Sequence, residues 1–353
     1  TRMVGSGFEL SEATNTPVFL QLRIRACHVY GRFDTADNIR PRHSAHSPLS
    51  TPDMDYGRIC LPPSTYAQER HKIETRLPAA VDFIRRQGLN EVMAGDADSD
   101  IGIILQGGLY NGVMRALAQL GLADDFGNSR IPLYVMNVTY PLVPDEIADF
   151  CRDRKAVLMV EEGQPAFIEQ AIDSLLSKGG IGCEVIGKAA LPEAGEYTGE
   201  VLVKGLLAFL EGVMARPADL EAAGRRVDQL LAGRRRATAA QPPLPPRPPG
   251  FCTGCPERPL FSALKLVQRE TGETHIASDI GCNTFATLPP FNMGNTVLGY
   301  GLSLSSASAV GPNFDKPVIT VMGDGGFWHN GLLTGVGTVV FNRSEGVLVV
   351  VDN

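Results

Sequence analysis

The sequence predicts an α/β protein: two parallel-sheet domains joined by a helical segment and a proline-rich linker. Three observations carry this. From Asp100 onward, short apolar runs alternate with stretches of helical length. A second alternation of the same kind closes the chain. Between them lies "QPPLPPRPPG", Gln241 to Gly250, with six prolines in ten residues. Strands alternating with helices call for a mostly parallel sheet covered on both faces. The proline run cannot be helix or central strand and forms an extended spacer.

Taken in order, Pro17 to Tyr30, "PVFLQLRIRACHVY", alternates in the manner of a strand. Residues 41–64 are rich in Pro, Ser, His and Asp and read as an irregular connection. Thr65 to Gly88 carries Leu77, Val81 and Ile84 at helical spacing. Ile101–Leu105 is a strand ending in Gly107-Gly108, and Asn111–Leu120 a helix. Pro132–Val138 and Ala156–Val160 are strands separated by a helix from Pro144 to Asp153, which opens on a proline. Pro165–Ser177 is a helix, and Cys183–Ile186 a short strand. Glu161-Glu162-Gly163 reads as a solvated strand end whose acids favour the next helix N-terminus, rather than as a face toward a cofactor. Thr198–Met214 and Ala218–Leu231 are helices, the second followed by the solvated triplet Arg234-Arg235-Arg236.

After the linker, a helix enters at Pro256 and a strand spans His275–Ser278. Val318–Met322 is a β-branched strand buried on both faces, and Val347–Val351 is another apolar strand, with a helix from Phe327 to Asn342 between them. The expected divisions are 1–40, the end of one domain; 41–64, a connection; 65–190, an α/β domain; 191–250, the helical segment and linker; and 251–353, a second α/β domain cut short at its C-terminal end. Both chain ends read as cut, because the first residue is not Met and the last stands at a strand edge.

The bulk numbers fit a soluble metabolic protein. At 353 residues and 44% hydrophobic, the chain is long enough for two or three domains. A formal charge of −7 argues against nucleic acid or an anionic membrane as partner. No stretch of eighteen apolar residues and no basic-then-apolar leader is present. Cys27, Cys60, Cys151 and Cys183 are scattered singly, as small buried hydrophobes of a cytoplasmic protein would be.

Two groups of residues carry chemistry. In "GDGGFWHNGLLTGVGTVVFNRSEGVLVVVDN", Gly323-Asp324-Gly325-Gly326 cannot continue a strand; glycine supplies turns with φ > 0 and lets other groups approach the backbone. A strand–helix–strand unit is parallel with a right-handed crossover, so Asp324 and Asn353 leave their strands at the carboxyl edge where ligands sit. A carboxylate and an amide oxygen there, beside exposed N–H groups, suit Mg²⁺ holding a diphosphate. A helix-capping aspartate is the plainer alternative. The second group is Cys252 and Cys255, a C-x-x-C pair in "GFCTGCPERP", with Cys282 in "SDIGCNTF". Three thiols suit zinc or an iron–sulfur cluster, and both need a fourth ligand. A loop pair plus an unrelated core cysteine is the plain reading.

"GDGG…VVVDN" resembles the thiamine-diphosphate motif. In this order, "FCTGCPERP", "DIGCNTF", "NMGNTVLGYGLS" and "GDGGFWHNG…VVVDN" resemble the cofactor-binding part of the 2-oxoacid:ferredoxin oxidoreductases, with the closest likeness to the long fused bacterial indolepyruvate enzymes. "TPVFLQLRIRACHVYGR" is similar to the end of that family's pyrimidine-binding domain; "IGIILQGGLYNGVMRAL" and "AVLMVEEGQPAFIEQAI" are similar to its transketolase-C-terminal-like domain. The resemblance implies oxidative decarboxylation of an aryl 2-oxoacid to an acyl-CoA, with electrons passing to ferredoxin. Thiamine diphosphate, Mg²⁺ and a [4Fe–4S] cluster are the implied cofactors. It places Asp324 and Asn353 on Mg²⁺, Gly323, Gly325 and Gly326 against the diphosphate, and Cys252, Cys255 and Cys282 on the cluster. Asn283 would line the cofactor site or close a turn, and His329 would stand near the substrate or simply be a satisfied helix-start histidine. The glutamate that activates the aminopyrimidine is expected upstream of Thr1, so this piece alone is expected to be inactive; a homodimer is also expected. A non-oxidative thiamine-diphosphate decarboxylase or transferase, and a zinc-stabilised module without catalysis, are the competing readings. A nicotinamide dehydrogenase is poorer, because no G-x-G-x-x-G lies between a strand and a helix.

Overall fold

The structure, a computed structural model, describes residues 2–28, 30–32, 34, 35, 37, 46, 51, 53–59, 61–213, 217–243, 245, 246 and 248–352. Cys60 and Asn353 lie outside them. The chain is α/β throughout, with two mostly parallel sheets, and it divides into two compact units between Gln241 and Pro242.

The first unit is built on five strands, β1 (Glu91–Met93), β2 (Ile101–Gln106), β3 (Leu133–Met136), β4 (Ala156–Val160) and β5 (Glu184–Ile186), in the order β1-β3-β2-β4-β5. All neighbours are parallel except β1, an antiparallel edge strand. Strand side chains alternate between faces, and the alternation sorts two cores. Ile101, Ile103, Leu105, Leu133, Val135, Leu158 and Val160 pack with the helices Tyr110–Leu120, Gly199–Val213 and Pro217–Ala239. The residues between them, Ile104, Tyr134, Val157 and Met159, pack with Pro144–Cys151 and Phe167–Lys178. Each such fully buried aliphatic contributes about 2 kcal/mol.

The N-terminal segment departs from expectation. Arg2–Thr14 is a helix, and its Leu10 packs with Ala80, Phe83 and Ile84 of the helix Leu77–Arg86. Among the described residues no strand forms where one was expected from Pro17 to Tyr30: Thr16–Arg23 has no regular secondary structure, and Ile24–Cys27 forms one helical turn. A strand needs a neighbour for its backbone; this segment is held by side chains instead. Cys27 is exposed, unlike Cys151 and Cys183, which are buried as expected.

Those side chains fill the carboxyl edge of the first sheet at its switch point, between β2 and β4. Arg23 donates through Nε and Nη2 to both carboxylate oxygens of Glu162, at 2.7 and 2.6 Å. The Glu162 N–H donates to Gln106 Oε1 at the end of β2, and Glu162 Oε1 accepts from the Tyr197 N–H. Glu161 is buried, not solvated, because its oxygens accept the N–H groups of Ile168 and Glu169 at the start of the next helix. The acid does favour the helix N-terminus, as expected, but from inside. The Arg23 bond is the main cause holding the Glu162 carboxyl below the usual glutamate range. Its contribution is therefore complete above the unfolded-state pKa and lost as pH falls through the lowered one. Glu162→Gln is expected to cost about 2 kcal/mol at neutral pH, with the gap to wild type closing in acid; denaturant midpoints across pH check both parts.

Candidate functional site

The second unit holds three parallel strands, β6 (Ile276–Ser278), β7 (Val318–Gly323) and β8 (Gly346–Val351), with β7 in the centre. Pro317 precedes β7, and the β-branched run behind it is buried, apart from Ile319, which is half-buried. From β7 the chain enters a continuous helix over Asp324–Gly326, Phe327–Val336 and Gly337–Asn342, widened to π geometry in its middle part. That helix was expected only from Phe327. The register pairs Gly323 with Val351, so Asp324 and Asp352 leave neighbouring strands side by side at the carboxyl edge. Asn353, which follows, lies outside the described residues.

Of the two roles expected for the glycines at this edge, positive φ does not apply: none of Gly323, Gly325 and Gly326 has it. Close approach does apply, at Gly325 and Gly326. A Cβ on Gly325 would sit 2.5 Å from the Tyr300 hydroxyl, and one on Gly326 would sit 3.0 Å from Asp279 Oδ2. Gly323 faces open space. The first N–H groups of a helix have no acceptor within it, and together with its dipole they favour an anion.

Asp279, the residue after β6, is completely buried. Its oxygens accept the Gly301 N–H at 2.8 and 3.0 Å, the Ile280 N–H at 2.7 Å and the Ser303 hydroxyl at 3.2 Å. With Gly326 against the same carboxylate, three segments meet on one side chain. Asp324 contrasts with it: half-buried, its carboxylate has no hydrogen bond or ion pair among the described residues. A carboxylate left unpaired at a helix start, beside open backbone, is the donor set Mg²⁺ takes when phosphate oxygens and water supply the rest.

Asn283 closes a second link. With its amide oriented to satisfy both neighbours, it donates to Glu257 Oε2 at 2.8 Å and accepts from the Gly323 N–H at 3.1 Å. Asn283 and Glu257 are both buried, and burial pushes the Glu257 carboxyl up. The loop "FCTGC" precedes Glu257. Its turn carries Gly254 at φ +77, and the Cys255 N–H donates to the Cys252 carbonyl. Phe251 anchors it among Phe261, Phe285 and Phe291, and Arg258 donates to the Phe251 carbonyl.

Cys252 and Cys282 are exposed and Cys255 is half-buried. The Cys282 thiol is pushed up first by burial of its sulfur, then by the nearby Glu257, Cys255 and Cys252. The three therefore share one neighbourhood. Among the described residues, however, no group of three or more His, Cys, Asp or Glu side chains converges to hold a metal ion. As they stand, the thiols do not form the ligand set of an iron–sulfur or zinc centre. His329 is exposed, its ring tilted against that of Tyr300 with centroids 5.1 Å apart. It stands in the second turn of the helix, so the satisfied helix-start role does not apply.

Sequence reasoning missed Asp279, Glu257 and Tyr300. Asp279 had a signal, for it follows β6 as Asp324 follows β7. Glu257 looks like any acid at a helix start, and Tyr300 carries no chemical signature of its own.

Residues 91–241 match the indolepyruvate oxidoreductase domain, and residues 279–353 match the C-terminal TPP-binding domain of thiamine pyrophosphate enzymes. Both matches are to domain types that the resemblance to the 2-oxoacid:ferredoxin oxidoreductases implies. Relatives named indolepyruvate oxidoreductase subunit IorA include one from Methanothermobacter marburgensis, 28% identical over 98% of this chain and 52% of its own length. Another, from Pyrococcus horikoshii, is 27% identical over 99% of this chain and 53% of its own length. The chain thus spans about half the length of the curated relatives it matches. A 2-oxoglutarate:ferredoxin oxidoreductase structure from Magnetococcus marinus aligns with 41% of this chain and 23% of its own, at 17% identity and a TM-score of 0.31, too slight a likeness to bear on the site. No described helix is long and apolar enough to cross a membrane.

Asp279→Ala is expected to strand the Gly301 and Ile280 N–H groups and to destabilise the second unit by about 3 kcal/mol. The chain's single tryptophan, Trp328, lies in that unit, so urea unfolding followed by its fluorescence reads the loss.

Proposed function

We propose that this chain forms the thiamine-diphosphate-binding part of an enzyme that oxidatively decarboxylates an aryl 2-oxoacid of the indolepyruvate type to an acyl-CoA and passes the electrons to ferredoxin. The observation that carries the reading is the unpaired Asp324 carboxylate at the start of the 324–342 helix, level with the end of β8. The thiamine pyrophosphate domain match over the same residues supports it. When bound, the cofactor supplies the stabilised carbanion chemistry that decarboxylation of a 2-oxoacid requires.

The chain's own residues bind and orient. Asp324 would hold Mg²⁺ together with Asn353, the residue that follows Asp352 in the sequence. The N–H groups after Gly323 would take diphosphate oxygens, while Gly325 and Gly326 admit the close approach of the Tyr300 hydroxyl and the Asp279 carboxylate. Asn283, fixed by Glu257, orients the Gly323 peptide, and Asp279 holds the surrounding loops. His329, exposed beside this turn, is the polar group assigned to the substrate side. Cys252, Cys255 and Cys282 are proposed as three ligands of a [4Fe–4S] cluster, a fourth coming from elsewhere. A cytoplasmic homodimer completes the proposal.

Their failure to converge favours one second reading, a non-oxidative thiamine-diphosphate decarboxylase or transferase, which needs no cluster. A zinc-stabilised module is disfavoured by the same observation.

Full-length protein purified without oxygen is the test material. It is expected to bind thiamine diphosphate only with Mg²⁺, and Asp324→Asn to weaken binding about 100-fold. Indolepyruvate with CoA is expected to reduce an artificial electron acceptor. Metal-independent binding, or none, would sink the cofactor assignment; bound cofactor without iron or sulfide would select the non-oxidative reading.

A further inference from the structure

Tyr300 has no part in the assignments above, yet the structure fixes it tightly against the candidate site. Its neighbour Gly301 shares its N–H between both oxygens of Asp279. Gly301 has φ +76, and a Cβ there would sit 2.7 Å from Asn330 Cβ and 2.8 Å from the Gly326 carbonyl oxygen. The backbone is therefore pressed onto the first turns of the 324–342 helix, in a conformation that only glycine adopts readily. Tyr300 consequently lies along that helix: its ring leans on His329 at 5.1 Å with the planes tilted by 43°, and its hydroxyl meets the face of Gly325.

That hydroxyl has no hydrogen-bond partner among the described residues, and the side chain is 47% exposed. A phenol is both donor and acceptor. Here it stands beside the free N–H groups of a helix start, where an anionic oxygen is the complementary group. Its nearest backbone is Gly325, the residue after Asp324, so the hydroxyl and the proposed Mg²⁺ ligand flank one turn.

We propose that Tyr300 is a positioning residue for the diphosphate, donating its hydroxyl hydrogen to a phosphate oxygen seated on the first turn of the 324–342 helix. The proposal rests on the thiamine-diphosphate reading and adds to it a side-chain donor from a separate loop. Asp279 acts on the diphosphate through this loop, as the anchor that presents Tyr300.

The test is calorimetric titration of the full-length protein and of Tyr300→Phe, each with Mg²⁺, using thiamine diphosphate and inorganic pyrophosphate as probes. The variant is expected to bind both about tenfold more weakly, the loss typical of one hydrogen bond to a charged group. Its melting temperature without ligand is expected to match wild type, because the hydroxyl has no protein partner to lose. Unchanged affinity for both probes would overturn the proposal and leave the cofactor reading standing. So would a loss confined to thiamine diphosphate, or a lowered ligand-free melting temperature, since either gives the hydroxyl another role. Wild-type protein that binds neither probe would remove the cofactor reading and this proposal together.

Discussion

One buried carboxylate organises the carboxyl edge of the second sheet. Asp279 leaves β6 into the interior, and its charge is compensated by the N–H groups of Gly301 and Ile280 and the Ser303 hydroxyl. An ionised group that deep survives only with such donors. Its bonds draw the 299–303 loop onto the helix that follows β7, and its bulk excludes a side chain at Gly326. The close packing at Gly326 and the pinned Tyr300 follow from that arrangement.

The two sheets use their carboxyl edges in opposite ways. In the first unit, the switch point between β2 and β4 is occupied by the chain's own Arg23–Glu162 pair, with side-chain exposures of 20% and 21%. Opposite charges satisfy one another there, and the edge is a structural joint. In the second unit, the Asp324 carboxylate at its strand end has no partner among the described residues. A sheet edge closed by an internal ion pair holds a segment of chain; one left with an unmatched charge and free N–H groups is suited to a ligand.

Much of this was legible in the residues. Ala156–Val160 is a strand with the expected ends, and β7, β8 and the helices after Pro144 and Pro256 fall within a few residues of their expected bounds. Runs of β-branched residues between glycines and prolines have few alternatives. The Pro17–Tyr30 segment misled because alternation measures a pattern and not the presence of a neighbouring strand. The helix Arg2–Thr14 went unseen because its few apolar residues find their partner, the helix Leu77–Arg86, far along the chain. At the site, Asp324 was readable from its place after a strand. Which of the two expected glycine roles applies was not: a demand for positive φ and a demand for close approach leave the same letters in a sequence. The three cysteines are neighbours, as their motifs suggested, but spacing along a chain does not determine whether sulfur atoms converge.

The proposed function stands on Asp324 ligating a divalent cation at the carboxyl edge of β7 and β8. Crystals of the full-length protein grown with thiamine diphosphate and with Mn²⁺ replacing Mg²⁺ locate that ion by anomalous scattering. The expected result is an anomalous peak about 2 Å from an Asp324 carboxylate oxygen, between the diphosphate and the tips of the two strands. An ion bound elsewhere, or a diphosphate seated at this edge with Asp324 turned away from any metal, would contradict it.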